Sequence, residues 1–341
     1  MALKIKLREN NNMNNITVIG DGGWGTALAL VLERNNHNVT VWGYSEENIN
    51  SIIKNKENKN YLPGISIPSN IKWTASPEES VSSADLIVIV IPSKFYINTI
   101  ESFFPFFNDK HLIVSATKGI DLNTGKTMSA IAADIIGRKI SVLSGPSHAE
   151  EVAKSIPCAV AVASEKYSES EQIQKYFMND FFRVYTSTDC LGVELGGALK
   201  NVIAIAAGVS DGLGYGDNAK AAIITRGLYE ITKLGVAMGA NKETFTGLSG
   251  IGDLIVTCTS KHSRNRNAGE KIGRGEHYSD IAKDSMMVIE GFDNCAAAVK
   301  LSTKYDLKLP IINQVQQILF ENKNPEKAMK ELMNRSAKSE L

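Results

Sequence analysis

Cysteine is scarce in this sequence, and the four present (Cys158, Cys190, Cys258 and Cys295) are widely spaced with no CxxC pair. Zinc staples and disulfide frameworks need clustered cysteines, so free thiols and no metal centre are expected. An excess of either charge is missing too, since 37 Lys and Arg balance 37 Asp and Glu. That balance removes any general attraction to nucleic acid or an anionic membrane, so a bound anion must be held by a local site. No apolar run approaches the ~20 residues of a membrane span. The opening MALKIKLRENNNM is basic but has none of the apolar core a signal peptide needs. Residues 1–13 therefore read as a disordered leader, with Met13 as an alternative start, and Lys338–Leu341 as a solvated end. Together these absences predict a cytoplasmic protein with neither a nucleic-acid nor a membrane partner.

What is present is enough for two domains: 341 residues, 43% hydrophobic and 22% charged. Short, nearly continuous β-branched runs recur at Ile16–Gly20, Val39–Trp42, Leu86–Ile91, Leu112–Ala116, Ile140–Ser144 and Cys158–Ala163. Runs without alternation suit strands buried on both faces of a mostly parallel sheet. Helical stretches lie between them, including Trp24–Arg34 and Glu46–Lys54, the latter capped by Ser45. This pattern predicts a doubly wound α/β domain over residues 14–188. From 189 the texture changes. Leu191–Val209 is rich in Ala, Gly, Val and Ile, a second helix is expected from an N-cap at Asn218 to Gly239, and a third spans Glu290–Tyr305. Residues 189–341 thus read as an all-helical domain.

One loop carries chemistry. Gly20-Asp21-Gly22-Gly23-Trp24-Gly25 fits G-x-G-x-x-G, between the strand Ile16–Ile19 and the helix from Thr26. Gly20 permits the tight turn, Gly22 lets backbone approach a pyrophosphate, and Gly25 lets helix pack on strand. The helix N-terminus then faces the phosphates of NAD or NADP. After Val41-Trp42-Gly43 the chain reads Tyr44-Ser45-Glu46-Glu47, with no carboxylate at the strand tip for a ribose hydroxyl and no Arg for a 2′-phosphate. Glu46 and Glu47 suit the following helix N-terminus instead. The choice between NAD and NADP stays open, and use of both with modest discrimination is expected.

GDGGWGTALA (Gly20–Ala29), followed by Val41-Trp42-Gly43, resembles the opening of the bacterial-type NAD(P)-dependent glycerol-3-phosphate dehydrogenase family. The resemblance continues through Asn60–Gly64, Pro92-Ser93, Ala116–Gly119, Ser144–Ser147, Gly196–Gly227, Gly247–Gly269 and Val288–Gly291, in family order. It implies an N-terminal Rossmann domain, a helical C-terminal domain and a substrate cleft between them. It implies interconversion of glycerol 3-phosphate and dihydroxyacetone phosphate, supplying phospholipid synthesis, and a homodimer is an open expectation. Carried over by position, Gly23, Trp24, Lys118, Ala149, Arg264, Val288 and Glu290 would contact the cofactor alongside Gly20, Gly22 and Gly25. Tyr44 stands where the family usually has a basic residue, which weakens the cofactor preference but not the reaction. Gly145, Ser147, Lys200, Asp253, Ser263, Arg264 and Asn265 would form the substrate site with Lys118, and Lys200 would be the acid/base.

The residues themselves are compatible with those roles. Lys200 lies in an Ala/Gly/Val-rich helix with Gly197 and Ala204 on its face, although a lone Lys on a helix more often reaches solvent. Asp253, in a Gly-Ile-Gly-Asp turn, either closes the turn or holds Lys200 or a substrate hydroxyl. Lys118 follows a strand, where α/β sheets bind ligands, and can support a developing alkoxide. Ser263-Arg264-Asn265-Arg266 offers hydroxyl, guanidinium and amide donors for a phosphate. His148 and His262 are read as structural, and Trp24 as core or cofactor contact. Competing readings are another two-domain hydroxy-acid or hydroxyacyl dehydrogenase, a non-catalytic dinucleotide sensor, and a methyltransferase, which the full glycine spacing disfavours.

Overall fold

A computed structural model describes residues 13–285, 287–337 and 339. The expected leader (1–13) and the 338–341 tail therefore lie outside the described residues, except Met13 and Ser339.

The continuous hydrophobic runs become strands because both faces of the sheet are covered. They are β1 (Asn15–Ile19), β2 (Asn38–Trp42), the β3/β4 hairpin (Glu57–Asn58 and Leu62–Ser66), β5 (Lys72–Thr74) and β6 (Leu86–Ile89). β7 (Leu112–Ser115), β8 (Ser141–Ser144), β9 (Cys158–Ala163) and β10 (Phe182–Ser187) follow. Eight of them form one sheet in the order β10-β9-β8-β7-β6-β1-β2-β5. All neighbours run parallel except β8 and β9. From β1 the chain first builds outward through β2 and β5, then returns to β6 on the other side of β1. This order reversal opens a crevice at the carboxyl ends of β1 and β6, where such sheets bind ligands. It is the doubly wound Rossmann arrangement, and from Cys190 every element among the described residues is helical.

The helix Cys190–Gly212 is the axis of the second half, with Asp189 accepting from the Gly192 amide at 2.9 Å as its N-cap. It packs against Asp217–Ala237, Asp253–Thr259, Arg264–Gly273 and Glu290–Lys304. By length and composition it is apolar enough to cross a membrane, which corrects the expectation that no such stretch exists. Glu194 and Lys200 interrupt the run in sequence, yet the helix serves as a protein core, with 89% of its apolar window buried. The expected cap at Asn218 is also corrected. Asn218 lies inside the helix, and extended Gly216 takes the cap position ahead of Asp217. Gly239 ends the segment as expected, at φ +103°.

Small residues set how closely the helices approach. A Cβ on Gly208 would lie 1.9 Å from the Arg266 carbonyl oxygen, and one on Gly269 would lie 2.1 Å from that of Ile205. The Arg264–Gly273 helix therefore rests backbone to backbone on the Lys200 helix. Gly269→Ala should cost about 1–3 kcal/mol, as overpacking does, measured as a lower urea midpoint with unchanged slope.

The two halves are joined by buried polar contacts. Glu194 accepts from the Ser129 amide at 2.7 Å and its hydroxyl at 2.5 Å, serving the first turn of Met128–Ile136, a helix whose own Thr127 makes no side-chain cap. Asn294 accepts from the Ile120 amide at 3.1 Å and donates to the Ala198 carbonyl at 3.1 Å.

Candidate active site

Lys200 and Asp253 are both buried, at 6% and 1% exposure, so Lys200 does not reach solvent. Glycines explain how they meet. Gly196, one turn before Lys200, admits the π-helical turn Leu248–Gly252, since a Cβ there would lie 2.4 Å from the Ser249 oxygen. That turn delivers Asp253 at the start of its helix. Gly197 makes room for Ser144, whose Oγ would lie 2.4 Å from a Cβ at that position, and the Lys118 stem packs alongside in ordinary contact at 3.5 Å.

The result is one carboxylate between two ammonium groups. Lys200 Nζ donates to Asp253 Oδ1 and, at 2.8 Å, to Thr257 Oγ1. Lys118 Nζ donates to Asp253 Oδ2 at 2.8 Å and to the Gly145 carbonyl at 3.2 Å. Ser147 Oγ also donates to Gly145, at 2.9 Å, so the Gly145–Ser147 turn is folded around Lys118. A single carboxylate cannot balance both cations. Burial pushes Lys200 down to about 7, with Lys118 adding to the shift and Asp253 opposing it. Burial alone would raise Asp253, but the two ammonium groups outweigh it and hold its carboxyl below the usual range. Thr257 was not anticipated. It stands four residues after Asp253 on the same helix, a spacing that could have flagged it.

The dinucleotide loop is built as its glycines require. Gly20 has φ +126°, and a Cβ on Gly25 would lie 2.0 Å from the Gly20 oxygen. A Cβ on Gly22 would meet nothing within 4 Å, which leaves room for a ligand. Gly22 caps the Gly23–Arg34 helix without a side-chain hydrogen bond, and no acidic residue occupies the first turn. Those amides suit a pyrophosphate, so the loop fits NAD or NADP. Ala149 packs beside the loop, its Cβ 3.8 Å from where Gly23 would carry one. Trp24 leans on the sheet side, its ring 6.5 Å from Phe182, while its indole N–H is buried without a partner among the described residues. Tyr44 is 88% exposed at the tip of β2.

One expectation at that tip is overturned. A carboxylate does stand there, supplied by Asp21 of the loop rather than by β2: a Cβ on Gly43 would lie 2.7 Å from Asp21 Cγ. A search along β2 misses it because the acid comes from a different part of the chain.

The Ser263–Arg266 string is divided by its helix. Ser263 is the N-cap, accepting from the Arg266 amide at 3.2 Å. Arg264 remains exposed, with Nη1 on the Val288 carbonyl at 2.9 Å. Asn265 is buried between Asn201 (3.0 Å) and the Gly291 amide (2.9 Å), which fixes its orientation. Arg266 turns away to Asp211 and Glu270, so it is not part of a shared anion clamp. Glu290 reaches across the cleft to Ser93, accepting from its amide at 3.2 Å and its hydroxyl at 2.5 Å. His148 and His262 face each other with ring centres 5.9 Å apart, and burial followed by the Lys200 charge keeps His148 below the usual histidine range.

A dinucleotide-type glycine loop on a doubly wound sheet, followed by a helical domain with a buried lysine, defines an NAD(P)-dependent oxidoreductase. Residues 15–170 match the NAD-dependent glycerol-3-phosphate dehydrogenase N-terminus and residues 189–330 its C-terminus, and the chain belongs to that family. It is 48% identical over 332 residues to a glycerol-3-phosphate dehydrogenase [NAD(P)+] of Fusobacterium nucleatum, covering 96% of this chain and 99% of that protein. It is 46% identical over 333 residues to the enzyme of that name from Bacillus subtilis, covering 96% of each. The crystal structure of glycerol-3-phosphate dehydrogenase from Coxiella burnetii superposes with a TM-score of 0.91 at 37% identity, covering 95% of this chain and 99% of that one.

Proposed function

We propose that this protein interconverts sn-glycerol 3-phosphate and dihydroxyacetone phosphate, with Lys200 as the acid/base. The chemistry supplied by a bound nicotinamide is hydride transfer to and from C2. The observation that carries the reading is Lys200, buried and depressed to about 7, between Asp253 and Thr257. In the reductive direction Lys200 gives its proton to the carbonyl oxygen, and in the oxidative direction it takes one. Asp253 keeps Lys200 aimed and lends it proton affinity. Lys118 adds positive charge where an alkoxide develops. Gly145 and Ser147 shape the turn around Lys118. Arg264 and the helix N-terminus capped by Ser263 hold the phosphate, and Asn265 locks that terminus to the Lys200 helix.

Gly20, Gly22, Gly23, Trp24 and Gly25 hold the dinucleotide, with Tyr44 and Ala149 at its edges. Val288 and Glu290 close the crevice from the helical side, and Glu290 is kept in place by Ser93. The domain division at 188/189, a cytoplasmic homodimer and a role in supplying phospholipid synthesis belong to the same proposal.

A phosphate holder at Arg264 has a direct test. Dihydroxyacetone lacking its phosphate should be a poor substrate even at high concentration. Arg264→Lys keeps the charge but loses the two-pronged geometry, and should lower kcat/KM. Equal reduction of both ketones would favour the other two-domain hydroxy-acid dehydrogenases. A sensor without chemistry would have no use for the Lys200–Asp253 pair, and the absence of turnover with NADH or NADPH would favour that reading.

A further inference from the structure

The β2 strand ends in glycine, and the place its side chain would take is filled from elsewhere. A Cβ on Gly43 would lie 2.7 Å from Asp21 Cγ and 2.8 Å from Oδ2. In dinucleotide-binding folds, an acidic side chain at this strand end receives the adenosine ribose 2′-hydroxyl. We propose that Asp21 is the cofactor-specificity residue of this enzyme, standing in for the missing β2 acid and favouring NADH over NADPH. The proposal rests on the reading of Gly20–Gly25 as the dinucleotide loop.

Three features around Asp21 support it. Among the described residues its carboxylate accepts from one neutral side-chain amide, Asn48 Nδ2 on Oδ2 at 2.6 Å, and Asn60 steadies Asn48 at 2.8 Å. Oδ1 receives no side-chain hydrogen bond among the described residues, so it can accept from a ribose hydroxyl. The backbone is pinned as well, since buried Asn58 donates to the Asp21 carbonyl at 2.7 Å and to Thr26 at 2.9 Å. No Lys or Arg forms a salt bridge with Asp21 among the described residues, and exposed Tyr44 brings no cation to the tip. A 2′-phosphate would bring up to about two negative charges against this carboxylate with nothing to offset them.

Fluorescence titration of the purified protein with NADH and with NADPH, without substrate, tests this. The wild type should bind NADH at least about tenfold more tightly, equivalent to 1.4 kcal/mol. Asp21→Asn keeps the shape and removes the charge, and should bring the two dissociation constants together, chiefly by tightening NADPH. Wild-type calorimetry with ADP-ribose and its 2′-phosphate should show the same preference, and it remains decisive if the variant does not fold. Equal binding of the two nucleotides by the wild type would overturn the role of Asp21, as would a variant in which both constants change by one factor. Failure of the wild type to bind either nucleotide would instead overturn the dinucleotide-loop reading itself.

Discussion

Lys200→Met is expected to lower kcat by roughly 10²–10⁴-fold, the usual worth of a positioned general acid, while NADH affinity stays at the wild-type value. Methionine keeps the length of the chain and fills the same apolar slot, so the glycine loop is untouched. The direction with pH follows from the depressed Lys200 pKa of about 7. Reduction uses the ammonium form and should fall as pH rises through that value. Oxidation needs the neutral amine and should rise over the same window. Steady-state rates and NADH fluorescence on one preparation decide the matter. Normal NADH binding with near wild-type turnover would remove Lys200 from the mechanism.

Asp253→Asn should be the most destabilising of the site substitutions. Asparagine matches the shape but leaves Lys200 buried without its counter-charge and Lys118 without its carboxylate partner. Breaking a buried pair in this way typically costs about 3–5 kcal/mol, which urea unfolding will resolve. The same change removes the influence that raises Lys200, so the reductive pH profile should move to lower pH. A variant as stable as the wild type, with an unmoved profile, would mean that Asp253 does not balance these lysines.

The sheet was legible wherever strands are covered on both faces, because burial there demands an unbroken apolar run. β5 and β10 lie at the edges and carry polar or alternating residues, such as Arg183 and Tyr185, so no run announced them. In the site, the residue types were readable but their partnerships were not. Asp253 lies 135 positions from Lys118 and 53 from Lys200, and the close approach of the Leu248–Gly252 turn to Gly196 is what sets Asp253 beside the Lys200 helix. Ser263–Arg266 looked like one donor cluster, but helix geometry sends Arg264 and Arg266 to different faces. Asp21 was hidden because the fingerprint places the acid on the second strand, whereas space, not chain position, decides which side chain fills that corner.

Asp253 has one further consequence. Its two oxygens tie a lysine from the sheet half to a lysine from the helical half, so the charge balance of the site depends on the halves being docked. Parting them would carry Lys118 away and relieve its repulsion of Lys200, which would then grip its proton more firmly. Docking loosens that grip. The acid/base is therefore complete only where the two halves meet, because Lys118 comes from the sheet half and Lys200 from the helical half.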